Sequence, residues 1–254
     1  IKGIKVDFMD RDDQYMTDFY KRTAEECAAR KMIVTYHGAY KPDGLSRTYP
    51  NILTYEGVLG NENARWITGF PHPKHNVTLA FTRMIAGPMD YTPGSFTNTT
   101  EENFIGQWRH PMTKGTRSQQ LAMPIVYETG IQSLCESPKI YEQFPEFELY
   151  RRLPGTWDST IVIEGEIGGY IIIARKFEDS WFIGGMTNSE SRNVSFALKF
   201  LGGSRYDAVI YSDASDGDTN PGKVITTKLN VGSGNKIALK MAKGGGFAIM
   251  MERK

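Results

Sequence analysis

The chain has 254 residues, 40% of them hydrophobic and 12% aromatic, enough to enclose one large barrel or two ordinary domains around a proper core. Thirty Lys and Arg stand against 29 Asp and Glu, a net charge of +1, so no global field gathers nucleic acid or anionic lipid and neither partner is expected. Cys27 and Cys135 are far apart and show no CxxC or Cys/His spacing, which argues against a disulfide framework or zinc site, and no apolar run is long enough to span a bilayer.

In chain order, IKGIKVDFMDRDD reads as an apolar-alternating strand that stops at Asp7, followed by an acid-rich turn. The strand starts at residue 1 with no cap or lead-in, so an upstream region of the same protein, with any signal peptide, is expected to precede it. Asp12 to Arg30 carries Tyr15, Phe19, Ala24 and Ala28 at helical intervals, and Lys31 to Tyr36 is a β-branched strand leading to His37 and Gly38. Together these make a βαβ unit. HGAYKPDGLSRTYPN is loop, ILTYEGVLGNENARW is an apolar stretch carrying Glu56 and Glu62, and residues 70–76 (FPHPKHN) read as a polar loop before the apolar segment 77–90. Residues 117–137 read as a helix with Pro124 as a kink.

Past Pro154 and Gly155 the period changes to two. TWDSTIVIEGEIGGYIIIARKFEDSWFIGGMTN, VSFALKFL, YDAVIYSD, KVITTKLNV and GFAIMMERK are short β runs with turn residues between them, as in an antiparallel sandwich. A boundary is expected near residues 151–156, giving units 1–153 and 154–254. The turn DASDGDTNPG lacks the alternating acids and closing Glu of a calcium loop and reads as a hairpin.

A carboxylate at the C-terminal tip of a parallel strand is where α/β barrels place their chemistry. Asp at a strand end is also a common turn former or helix N-cap, but DRDD offers other residues for that task. Asp7, Glu56 and Glu62 come from three points that a barrel brings to one rim. Two carboxylates flanking an anomeric carbon are the minimum equipment for glycoside hydrolysis.

KVDFMDRDDQ, HGAYKPDGLSRTYPN, LTYEGVLGNE, FTRMIAGPMDYTPG and WDSTIVIEGEIGGYIIIAR resemble successive signatures of glycoside hydrolase family 97, over essentially the whole chain. The resemblance implies a partial (β/α)8 TIM barrel, its later half from about the fourth strand, followed by a small antiparallel β-sandwich. It implies a location in the periplasm or outside the cell and an oligosaccharide substrate. Inverting members of the family lack an acid at the end of the fourth strand and carry a glutamate after the histidine of the next. Here Asp7 is present and Gly38 follows His37, which points to the retaining α-galactosidase branch. By that resemblance Asp7 is the nucleophile, Glu62 the general acid/base, Lys5 and His37 contact sugar hydroxyls, and Glu56 binds Ca²⁺, an ion that Glu62 shares.

Retention asks for carboxyls roughly 5 to 5.5 Å apart, with Glu62 raised in pKa and Asp7 ionised. Lys5, two positions before Asp7, is expected to help hold it ionised. The bland alternatives are a helix-start acid for Glu56 and a satisfied core histidine for His37. His72, His75 and His110 are placed in loops and, like Trp66, Tyr91 and Trp108, given no role. A β-L-arabinopyranosidase and a non-catalytic carbohydrate-binding fragment are the rival functions.

Overall fold

Three strands, β1 (Gly3–Val6), β2 (Ile33–Tyr36) and β3 (Ile52–Tyr55), pair in parallel in that order in the computed structural model, which describes residues 1–254. A parallel bridge from Tyr55 to Met89 extends the series by one position. Parallel neighbours require crossovers; α1 (Gln14–Ala29) supplies the first and the short α2 (Leu45–Thr48) lies in the second. Asp13 caps α1 by accepting from Met16 N–H at 3.1 Å, which leaves Asp7 free of that task.

The face that α1 buries consists of Tyr20, Ala24 and Cys27, packed on Val34, Tyr36, Ile52 and Tyr55. Of the apolar residues at helical intervals, Tyr15 and Ala28 are exposed, because the buried stripe runs i, i+4, i+7 from Tyr20. Residues 70–76 also depart from expectation: α3 (His72–Leu79) begins there, with Pro73 in its first turn, where a missing N–H costs nothing. His72 and His75 are therefore helical, and His72 is fully buried.

After the parallel pair β4 (Asn98–Thr99) and β5 (Thr113–Lys114), α4 (Arg117–Val126) is shorter than the expected 117–137 helix. Pro124 cannot donate to the carbonyl of Gln120, and the Tyr150 hydroxyl takes that carbonyl instead at 2.7 Å. Cys135, read as helical, lies beyond the helix end. Two short helices, α5 (Pro138–Tyr141) and α6 (Glu148–Arg152), lead to the β-rich part.

That part holds β6 (Ser159–Glu166), β7 (Tyr170–Phe177), β8 (Ser180–Thr187), β9 (Arg192–Ala197), β10 (Arg205–Asp213), β11 (Val224–Gly232), β12 (Lys236–Met241) and β13 (Gly246–Arg253). Six strands form an antiparallel sheet in the order β11-β10-β13-β8-β7-β6, and β9 pairs with β12 over one face. Side chains alternate between faces, so Ile172 and Ala174 of β7 enter the core beneath β9 and β12, whereas Ile171 and Ile173 enter a core with Ala122, Met123 and Val126 of α4. Burial on both faces explains why YIIIA is continuously apolar, each isoleucine contributing about 1.5–3 kcal/mol.

Gly184 of β8 marks where α4 presses closest, since a Cβ there would stand 2.9 Å from the Ala122 carbonyl. The β-rich part and the residues before it thus share apolar core rather than meeting only at a linker. DASDGDTNPG is the β10–β11 connection. In it the Asp213 carboxylate accepts from Ala242 and Gly246 N–H, and Asp218 accepts from Lys243 N–H.

Candidate active site

The chain leaves each parallel strand at the same end, and there stand Asp7 after β1, His37 after β2, Glu56 after β3 and Asp90 after the Met89 bridge. Glu62 arrives from the 3-10 turn Asn61–Arg65, which follows Glu56 after a short link. Side chains distant in sequence therefore meet because parallel strands put all their C-terminal ends on one edge.

His37 is the centre of the cluster. It is 6% exposed; its Nδ1 lies 2.9 Å from Asp90 Oδ2, and its Nε2 lies 3.4 Å from both Glu62 Oε1 and Glu56 Oε1. Burial opposes a charged ring here, but the hydrogen bonds to Asp90 and Glu62 and the charge of Glu56 outweigh it, raising the imidazole to about 10. Glu56, its Oε2 receiving Gly38 N–H at 2.7 Å, is pushed above the usual range by burial, against the pull of His37. Glu62 goes the other way, held low chiefly by its hydrogen bond with His37. This reverses the elevated Glu62 expected from sequence. The reason is the adjacent imidazolium, whose position no spacing rule discloses.

Asp7 is exposed, and its Oδ1 accepts the following Phe8 N–H at 2.6 Å. Behind it Phe8 and Asp10 take left-handed φ of 64° and 48°, conformations that non-glycine residues adopt at a cost, and Asp10 N–H donates to the Gly38 carbonyl at 2.7 Å. Gly38 itself has φ +58°, and a Cβ on it would stand 2.7 Å from Phe8 N and 2.9 Å from Asp7 Oδ1. Asp7 in this position and a side chain at residue 38 exclude each other.

Lys5 does project toward the cluster, but its ammonium pairs with Asp90 Oδ2 at 2.7 Å, not with Asp7 as expected. Two cations share one oxygen of a carboxylate that is 2% exposed. Burial pushes Asp90 up, yet His37 and Lys5 bring it below the usual range. Sequence reading overlooked Asp90, although its signal resembles that of Asp7: an apolar run, VTLAFTRMIAGPM, ending at an acid. Of the aromatics left without a role, Tyr91 is core, while Trp66 and Trp108 pack on each other at 5.1 Å and remain exposed.

His37, Glu56 and Glu62 each offer a ligand atom, all within 4.8 Å of one another. Two carboxylates suit a hard cation such as Ca²⁺, which favours oxygen, whereas an imidazole nitrogen does not. Glu56 and Glu62 fit that ion as donors. His37 fits as a neighbour and not as a ligand.

Comparison with known proteins connects this geometry to a family. The family description "Glycoside hydrolase 97" matches residues 1–58, and "Glycosyl-hydrolase 97 C-terminal, oligomerisation" matches residues 156–252. A retaining alpha-galactosidase of Bacteroides thetaiotaomicron is 39% identical over 99% of this chain and 38% of its own length. A probable retaining alpha-galactosidase of Streptomyces bingchenggensis is 31% identical over 98% of this chain and 36% of its own. The chain thus spans well under half the length of these relatives.

Among solved structures, a family 97 enzyme from Pseudoalteromonas sp. strain K8 in complex with panose superposes with a TM-score of 0.86 at 33% identity, covering 96% of this chain and 38% of that one. A beta-arabinopyranosidase superposes with a TM-score of 0.83 at 25% identity, over 98% of this chain and 39% of that one. Matches at both ends of the sequence, and a common backbone between them, agree: the chain belongs to glycoside hydrolase family 97.

Proposed function

We propose that this chain is part of a retaining glycosidase that cleaves terminal α-galactosides outside the cytoplasm, in the periplasm or after secretion. Its parallel strands would be successive strands of a (β/α)8 barrel, completed by an N-terminal region of the same protein, with 154–254 as the C-terminal β-sandwich domain. The observation that carries the reading is the mutual exclusion of Asp7 and any side chain at residue 38, because a retaining site needs a carboxylate nucleophile where an inverting one places a base and water. The likeness to two retaining alpha-galactosidases supports the choice of sugar.

In this mechanism the Asp7 carboxylate attacks the anomeric carbon while Glu62 gives its proton to the departing glycosidic oxygen, leaving a galactosyl ester on Asp7. Water then attacks the same carbon, surrendering its proton to the Glu62 carboxylate and freeing Asp7, so two inversions give net retention. Glu62 is paired with His37 before substrate binds. Binding of sugar hydroxyls to His37 and Lys5 loosens that pair and lets Glu62 take up the proton it must donate. Glu56 and Glu62 would hold Ca²⁺, which stabilises negative charge at this rim.

The test is Asp7→Gly in the full-length protein, with proton NMR of the released sugar from wild type. We expect α-galactose as first product, loss of turnover in the variant, and azide rescue giving the β-galactosyl azide. An inverted product from wild type, with no azide rescue, would refute Asp7 as nucleophile. The arabinopyranosidase likeness supplies a second reading, decided by the two nitrophenyl glycosides: a faster arabinopyranoside overturns galactose. Full activity of residues 1–254 alone would refute the need for an N-terminal region, and a full-length protein that binds galactosides without hydrolysing them would favour a carbohydrate-binding role.

A further inference from the structure

We propose that Asp90 is a positioning residue of this site, one buried carboxylate oxygen that fixes the Lys5 ammonium and the His37 ring together. The sugar-contacting part of this role rests on the function proposed above; the positioning itself stands on geometry.

Lys5 leaves β1 on a long flexible stem, and its ammonium is paired with Asp90. Its Nζ lies 2.7 Å from Asp90 Oδ2. His37 Nδ1 lies 2.9 Å from the same oxygen, so this nitrogen carries a proton toward Asp90, and the opposite nitrogen, Nε2, is aimed at Glu56 and Glu62. One acceptor thus sets the direction of two donors that come from different strands.

Asp90 can do this because its backbone is itself fixed. Asp90 N–H donates to the Tyr55 carbonyl at 3.1 Å, continuing the parallel ladder past Met89. The buried Arg83 guanidinium donates to the carbonyls of Tyr55, Glu56, Gly57 and Gly87, clamping the end of β3, which carries Glu56, to the segment that leads into Asp90. A carboxylate that is 2% exposed would be costly without partners, and the two donors that satisfy it, Lys5 and His37, are those the site employs. Orientation of such groups to within a fraction of an ångström governs rate.

The experiment uses Asp90→Asn and Asp90→Glu in the full-length protein, with crystal structures and kinetics on nitrophenyl α-galactoside. In Asp90→Asn, Lys5 Nζ and the His37 ring should move by about 1 Å or more, and kcat/KM should fall about a hundredfold, mostly in kcat. In a Lys5→Met/His37→Gln background the same substitution should cost less than about threefold, because the groups it orients are gone. Asp90→Glu keeps the charge but shifts the oxygen, so it should also lose at least about tenfold; it carries the test if Asp90→Asn fails to fold. Unmoved Lys5 and His37, additive losses, or a native rate in Asp90→Glu would each overturn the proposal. Should wild type hydrolyse no glycoside, the proposed function fails, and the crystal structures still decide whether Asp90 positions the pair.

Discussion

Alanine at residue 38 should damage stability and turnover together, because the same missing Cβ serves both. Gly38 has φ +58°, a left-handed conformation that costs an L-residue about 1–2 kcal/mol. Its Cβ would stand 2.7 Å from Phe8 N, 2.9 Å from Asp7 Oδ1 and 3.0 Å from Phe8 Cα. Two of those neighbours are backbone held by the Asp10 N–H bond to the Gly38 carbonyl, so the crowding is not relieved by a rotamer change and adds about 1–3 kcal/mol. The sum, about 2–5 kcal/mol, corresponds to a melting decrease on the order of 10 °C in a chain of this size. Relief by moving the Asp7 loop displaces the carboxylate by a few tenths of an ångström or more, and kcat should fall by about tenfold to a hundredfold. Calorimetry and initial rates on a nitrophenyl α-galactoside read both quantities. A melting point within about 2 °C of wild type, with unchanged kcat, would refute the steric argument; lower stability with unchanged kcat would instead remove Asp7 from the chemistry.

His72 is fully buried between Phe70 and Phe104 with neither ring nitrogen hydrogen-bonded, and burial, aided by the charge of Lys114, pushes it down to about 3. Unfolded, it titrates near 6.5, so its folded form is neutral: stability is full above that pH and falls by up to about 1.4 kcal/mol per unit as pH drops toward 3. Denaturant titrations of His72→Phe between pH 7 and 4 should show a flatter slope than wild type, and an equal slope would mean that the ring is not held neutral. Arg175 of β7, 2% exposed, donates to the Ile125 and Val126 carbonyls at the end of α4, so Arg175→Met should cost about 3 kcal/mol by thermal unfolding, with little change in kcat. On the proposed Ca²⁺ site, Glu56→Gln should raise the free Ca²⁺ needed for half-maximal activity at least about tenfold, read after chelation and back-titration; a wild type indifferent to chelation, or an unchanged requirement in the variant, would refute that site.

The sequence by itself determined the chemistry-bearing letters and the local elements. Alternation in IKGIKV and in the runs after residue 156 specified strands, helical spacing specified α1 within two residues at either end, and a strand ending at Asp7 marked the rim. Local rules misread α3, because FPHPKHN is polar in composition yet packs His72 into an aromatic core, and overextended α4, because the chain turns to extended backbone at Tyr127 although the apolar pattern continues. Asp90 was hidden for a different reason. Its importance lies in Lys5 and His37, 85 and 53 positions away, and a period or motif describes neighbours along the chain only. Glu62 and Glu56 are alike as letters; their opposite pKa directions came from which of them His37 pairs with and which is more deeply buried. Charges and hydrogen bonds act through space at a few ångströms, so only the folding of parallel strand ends onto one edge decided which acid was buried, which was paired and why residue 38 carries no side chain.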